Sequence, residues 1–208
     1  MPIVRKPRKF LLYLDTNIFL DLIRNRTGQP AEDSRKLLRE ISQDKYRALT
    51  SSFTILEIME EEQEQIYAER EITICKKSFD EVRRHIDRRD LTLHELEGIQ
   101  KILENHIYKP FINTEKIERR YLKDEGWNRA TELLSKLNLS ASDSIHLAIA
   151  DIAGCDVFVT NDEQLRTVGS SFFDVDFMVF SSSSDVESKI TELVNARRQK
   201  LLSLGKEE

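Results

Sequence analysis

The chain has 208 residues, 33% of them charged and 8% aromatic, with a formal net charge of −5. That length suits one large domain with a sizeable core, and the acidic balance excludes a protein that coats nucleic acid through bulk charge. It does not exclude a nuclease, because carboxylates that hold a cation add negative charge at the site itself.

Two cysteines, Cys75 and Cys155, stand far apart and form no CxxC pair. This argues against a disulfide framework or a zinc site and for a reducing compartment. Met1 to Lys9 is basic and precedes apolar residues, but the apolar run before Asp15 is shorter than the roughly seven residues of a signal peptide. No segment approaches the roughly 18 apolar residues of a membrane span. The expectation is a cytoplasmic protein with no membrane partner.

In chain order, Phe10 to Leu14 reads as a buried strand, and Asp15 follows it with no spacer. Residues 17–25 place Ile18, Phe19, Leu22 and Ile23 at helical spacing, and 32–43 do so with Leu37, Leu38 and Ile41. Ala48-Leu49-Thr50 reads as a second strand, running into a helix that begins near Phe53 and carries Ile55, Leu56 and Met59. The stretch 60–93, rich in Glu and Arg, reads as long helices or an arm. Residues 94–107 put Leu96, Ile99, Leu103 and Ile107 on one face, and Lys109-Pro110 is expected to end that helix.

Residues 114–137 read as helical, with Ile117, Tyr121, Leu133, Leu134 and Leu137. So do 140–153, with Ile145, Leu147, Ala148, Ile149 and Ile152, closed by Gly154. Val157 to Thr160 and Phe177 to Phe180 are the third and fourth strands. Ser181 to Ser184 leads into a tail helix over 184–204, striped with Val186, Ile190, Leu193 and Val194. The four apolar runs are continuous rather than alternating, as in strands covered on both faces. Strands alternating with helices predict an α/β fold, a parallel sheet between two helical layers.

In such a sheet, ligands bind beyond the carboxyl ends of the strands. Asp15 sits at one such end. "SSFTILEIME" puts Glu57 in the first turn after the second strand, "LSASDSIHLAIA" opens a helix with Asp143, and "VFVTNDEQL" puts Asp162 two residues past the third strand. Each has a plain alternative. Asp15 or Thr16 can cap the next helix, and Thr54-x-x-Glu57, Ser140-x-x-Asp143 and Thr160-x-x-Glu163 match capping boxes. Four carboxylates on one edge are harder to explain singly, since like charges disfavour each other's ionised form. A divalent cation compensates them, and oxygen-only ligands are what Mg2+ or Mn2+ prefers.

"LDTNIFLDLI", "TILEI", "LSASDSIHLAIA" and "CDVFVTNDEQL" together, in this order over residues 10–180, resemble the PIN-domain family. These are ribonucleases that include the toxins of VapBC-type toxin–antitoxin pairs. The resemblance implies a three-layer α/β/α sandwich with a central parallel sheet and metal-dependent hydrolysis of RNA phosphodiester bonds. It implies an acidic metal site at Asp15, Glu57, Asp143 and Asp162, served by Mg2+ or Mn2+, with Thr16, Asn17, Thr160 and Asn161 as supporting polar groups. It further implies an RNA substrate, an antitoxin partner and a homodimer.

Residues 1–208 are expected to form one PIN-like domain. The chain is longer than the compact toxins of this family. The excess falls in a helical insertion or arm over 60–138 and in a C-terminal helix over 184–208. In the arm, Arg83, Arg84, Arg88 and Arg89 surround one aspartate, Asp87. They suit nucleic-acid contact, but a solvated face paired with the nearby glutamates is the favoured reading. Arg5-Lys6-Pro7-Arg8-Lys9 is a weaker cluster of the same kind. His146, one helical turn after Asp143, is expected to be structural, Trp127 to pack the arm onto the domain, and Cys155 to lie in the core. Glu60, Glu61, Glu62 and Glu64 are expected to form a solvated surface.

A phosphatase of the haloacid dehalogenase type also ends its first strand on Asp, but it needs a second Asp where this chain has Asn17. A catalytically inactive PIN-like scaffold that binds RNA or protein is the remaining alternative, and the presence of all four acids argues against it.

Overall fold

The computed structural model describes residues 9–173 and 178–204, apart from the side chains of Arg88, Leu201, Leu202 and Leu204. β1 (Leu11–Leu14) is buried along its whole length. Leu12 and Leu14 enter one hydrophobic core, while Leu11 and Tyr13 enter another. Alternating side chains thus feed two cores, as a strand covered on both faces must.

β2 (Arg47–Ser51), β3 (Ile117–Arg120), β4 (Val157–Val159) and β5 (Val179–Ser181) complete a parallel sheet in the order β3-β2-β1-β4-β5. The register sets Tyr13 beside both Leu49 and Phe158. One face is covered by α1 (Thr16–Ile23), α2 (Gln29–Ser42), α3 (Ser52–Thr73), α5 (Leu93–Leu103) and α9 (Val186–Leu204). The other is covered by α6 (Asp124–Leu137), α7 (Ala141–Ile152) and α8 (Glu163–Phe172). The short α4 (Phe79–His85) packs on α3, outside both layers. This is the three-layer α/β/α arrangement.

Local chemistry sets several boundaries. Ser51 caps α3 by accepting the Thr54 N–H at 2.9 Å, so the helix starts at Ser52 and Thr54 is not its cap. Glu57 therefore lies in the second turn. After α7, Gly154 takes a φ of 65°, a left-handed conformation that glycine adopts without steric cost.

Two expectations are corrected. Residues 114–137 are not helical throughout, because β3 lies at their start. Its sequence IERR exposes alternate positions at the sheet edge, so it shows no apolar run. Lys109-Pro110 does not end the helix after α5 either. The chain continues as a π-helix, Glu104–Ile112, with Pro110 inside it. There the Asn113 N–H reaches the Tyr108 carbonyl, five residues back, at 2.8 Å. The wider turn relieves the clash a proline ring makes with the carbonyl four residues back. Phe177, expected to open the last strand, lies outside the described residues. Among the described residues, no helix is long and apolar enough to cross a membrane.

Candidate functional site

The chain steps from β1 to β2 to β3 on one side and then places β4 on the other side of β1. The crevice beyond the carboxyl ends of β1 and β4 is thus the topological switch point, where open parallel sheets take ligands. Asp15 stands there. Its N–H continues the ladder to the Val159 carbonyl at 3.1 Å, and the residue is only 7% exposed.

Three donors hold its carboxylate. Oδ1 accepts the Thr16 N–H at 2.8 Å, which makes Asp15 the cap of α1. Oδ2 accepts from Asn17 Nδ2 at 2.7 Å and from Thr160 Oγ1 at 2.6 Å. Burial nonetheless pushes the Asp15 carboxyl above its ordinary range, against the His146 charge and the Thr160 hydrogen bond. Capping explains Oδ1; it does not explain why this acid is buried.

Glu57 faces Asp15 from α3. Its carboxylate accepts from the Thr16 hydroxyl, the Ser142 hydroxyl and His146 Nε2, the last at 2.7 Å. His146 is 1% exposed, and its Nδ1 meets the Tyr13 hydroxyl at 2.6 Å and the Ser51 hydroxyl at 3.4 Å. Burial opposes charge on both partners. It is outweighed on Glu57 by the His146 hydrogen bond and charge, which hold that carboxyl low. On His146 the Glu57 hydrogen bond and the Asp15 charge hold the imidazole high.

Asp143 completes the wall from the first turn of α7. Its N–H donates to Ser140 Oγ at 3.0 Å, and its carboxylate accepts from the same hydroxyl at 2.7 Å. Asp15, Thr16, Asn17, Glu57, Ser142, Asp143 and His146 all line one cavity of about 290 Å³. Glu60, Glu61 and Glu64 line it too, with Glu60 and Glu61 exposed to solvent as expected. Their spacing from Glu57, three, four and seven residues, is one helix face, a signal present in the sequence. Glu62 is buried against Arg24 at 2.9 Å.

Asp162 does not line this cavity. It caps α8 by accepting the Leu165 N–H at 3.0 Å, and its own N–H donates to Thr160 Oγ1 at 3.0 Å. It is Asp162, not Thr160, that caps this helix. Asn161 ties the region together from behind. Its N–H donates to Asn17 Oδ1 at 3.0 Å, and its Nδ2 donates to Asp21 Oδ2 at 3.0 Å. Buried Asp21 also accepts from Ser34 Oγ at 2.8 Å. Its spacing of four from Asn17 on α1 is the only sequence signal for it.

The arginine cluster divides. Arg89 is bound to α3, with Nη2 on Glu60 at 3.2 Å and Nη1 on Glu64 at 3.7 Å, as the glutamate-paired reading expects. Arg83 and Arg84 are exposed on α4, and the Arg88 side chain lies outside the described residues. Of the N-terminal cluster only Lys9 is described. Cys155 is in the core, whereas Trp127 is 54% exposed and does not pack the arm down.

Among the described residues, no three His, Cys, Asp or Glu side chains converge closely enough to hold a metal ion as they stand. The carboxylates of Asp15, Glu57 and Asp143 each face a hydroxyl, amide or imidazole donor instead.

A family model of the PIN domain matches residues 58–170, which is 113 of 208 residues, and the chain belongs to that family. Several solved structures share its fold, and two of them show the likeness. One is VapBC2 from Rickettsia felis bound to a DNA fragment from its promoter, at TM-score 0.50 and 13% identity, with 83% of this chain and 98% of that chain covered. The other is FitAcB from Neisseria gonorrhoeae, at TM-score 0.50 and 16% identity, with 82% and 96% covered. No curated protein matches the chain in sequence.

Proposed function

We propose that this PIN-domain protein is a metal-dependent endoribonuclease, with Asp15, Glu57 and Asp143 as the ligands of Mg2+ or Mn2+. The observation that carries the reading is Asp15, a buried carboxylate at the switch point that shares one cavity with Glu57 and Asp143. The donor chemistry fits a hard divalent cation, since the acids facing the cavity offer only oxygen. When bound, such an ion reverses the sign of the site toward an anionic phosphodiester and acidifies water for the attack.

The chain's own groups do the positioning. Asn17 and Thr160 hold Asp15 Oδ2, and His146, Ser142 and Thr16 hold Glu57. Asp162 acts from outside the cavity, through Thr160. Asn161 anchors Asn17. We further read 1–208 as one domain, in which the stretch 60–138 and the C-terminal helix are additions to a compact core. The toxin of a toxin–antitoxin pair is the context we favour, with an antitoxin partner. Its support is that two of the similar structures are of two-component assemblies by name, VapBC2 and FitAcB.

A scaffold without catalysis is the rival, favoured by one observation: both Glu57 oxygens are already engaged in hydrogen bonds. Labelled single-stranded RNA incubated with Mn2+ separates the two. The nuclease reading expects cleavage that chelator abolishes and that Asp15→Asn lowers by about 100-fold or more, the scale of losing a group that stabilises transition-state charge. Intact RNA across a broad panel of sequences would favour the scaffold.

A further inference from the structure

Without a bound cation the acidic cavity repels a polyanion, so a strand held in that state needs cations elsewhere on the surface. Residues 116–123, KIERRYLK, carry four basic side chains and one acid in a chain of net charge −5. β3 lies within this stretch, at the sheet edge, hydrogen-bonded on one side only, to β2. Two of the cations are neutralised: Lys116 by Asp44 and Arg120 by Glu118, each at 2.8 Å.

Arg119 is different. Among the described residues its guanidinium has no acidic partner, and it sits between two phenol rings. The Tyr108 centroid is 5.9 Å away and the Tyr121 centroid 5.3 Å. Nη2 donates to the Tyr121 hydroxyl at 2.6 Å. A guanidinium fixed by stacking is pre-organised for a phosphate and loses little freedom on binding one. Tyr121 is 61% exposed, and the nearby Lys123 ammonium also lacks an acidic partner among the described residues. A cavity of about 440 Å³ opens beside these groups, between the β3 edge and the facing ends of α6 and α7.

The edge is also placed well. Continued by two residues, the register that pairs Tyr13 with Leu49 sets Asp15 beside Ser51, and Ser51 pairs with Arg120. Arg120 is therefore level with Asp15 at the same end of the sheet, two strand spacings or roughly 10 Å away.

We propose that the β3 edge is a single-stranded RNA-binding surface, in which Arg119 and Lys123 hold phosphates and Tyr121 stacks a base. It rests on the nuclease reading for the identity of the strand, and the chemistry follows from unpaired cations beside an exposed ring. Single strands present unstacked bases to aromatic faces, and backbone phosphates to cations. The exposed ring beside the cations is what favours a nucleic acid over an acidic protein segment.

The test is the binding of a labelled oligouridylate, followed by anisotropy in chelator so that nothing is cleaved. Quenching of Trp127, the only tryptophan, is a second readout, since Trp127 is exposed and directly follows Gly126 of the cavity lining. Arg119→Gln and Tyr121→Ala should each weaken binding by at least about fivefold, the lower end for losing one stacked base. Lys123→Gln should reduce the salt slope by about one, and Arg83→Gln should change nothing. Tyr121 and Lys123 are exposed, so their variants leave the fold intact.

Wild-type affinity in the Arg119 and Tyr121 variants would overturn the proposal, as would absence of RNA binding by the parent chain. A change of oligomeric state at unchanged RNA affinity would overturn it too, and would mark the edge as a protein contact. Weakened binding in a chain that cleaves nothing would support this surface while removing the nuclease reading. Cleavage with unaltered binding would do the reverse.

Discussion

Asp15 accepts three hydrogen bonds and still has its carboxyl pushed up by burial. A raised folded-state pKa has a fixed sign. The stability that protonated Asp15 contributes is complete below the unfolded value, near 3.8, and is lost as pH rises through the folded value. Asp15→Asn does not titrate. In chelator, the Tm of the variant should therefore climb relative to the parent as pH rises above about 4. Parallel curves would mean that Asp15 titrates as it does in the unfolded chain. His146 supports Glu57 without lining up as a ligand of its own. His146→Gln should weaken Mn2+ affinity by about 10- to 100-fold, as losses behind a metal ligand do, with RNA binding in chelator unchanged.

At this scale the sequence spoke through strand ends. Asp15, Glu57 and Asp143 were legible because each follows a strand or opens a helix at a defined offset. The Tyr13–His146–Glu57 chain was not, because a buried polar relay joins residues far apart in sequence and leaves no local pattern. Asp162 looked equivalent to the others by spacing. One of its oxygens caps α8, and it does not line the cavity that the other three share.

Among the elements, α8 and α5 offer a contrast of sign. A Cβ on Gly169 would lie 2.2 Å from the Phe180 ring. That ring is buried and lies tilted against Phe158 and Phe173, with centroids at 5.3 and 5.7 Å, which restricts its movement. Helix propensity would gain about 1 kcal/mol from Gly→Ala, and overpacking would cost about 1–3 kcal/mol. Gly169→Ala should lower the Tm by a few degrees, at about 2–4 °C per kcal/mol for a domain this size. A methyl on Gly98 in α5 would meet only open space, so Gly98→Ala should raise it. Equal shifts in thermal melts would contradict this packing.

The elements that escaped the sequence are those that owe least to local pattern. β3 has one buried residue in four and exists because β2 offers it an edge. The π-helix around Pro110 keeps a chain helical where proline normally ends one. The buried strands and α7, by contrast, announce themselves by continuous apolar runs.

Across the whole molecule, charge is sorted rather than balanced. Acids gather along α3 and at the carboxyl ends of β1 and β2, many of them paired with Arg24 and Arg89. At the β3 edge, Arg119 and the nearby Lys123 have no acidic partner among the described residues. The three-layer sheet fixes the distance between the two regions, and the motifs that resemble the PIN family all fall at the sheet's carboxyl end. The fold was therefore readable from strand order and motif order together. What the stretch 60–138 does was not, since charge runs alone do not say which cations are left free.

The central claim is that Asp15, Glu57 and Asp143 hold a divalent ion, and titration calorimetry of the parent chain with Mn2+ tests it most directly. The expected result is saturable binding that is lost or weakened at least about tenfold in Asp15→Asn and Asp143→Asn, each still folded by thermal melt. Mn2+ binding with the same affinity in both variants, or none in the parent, would contradict it.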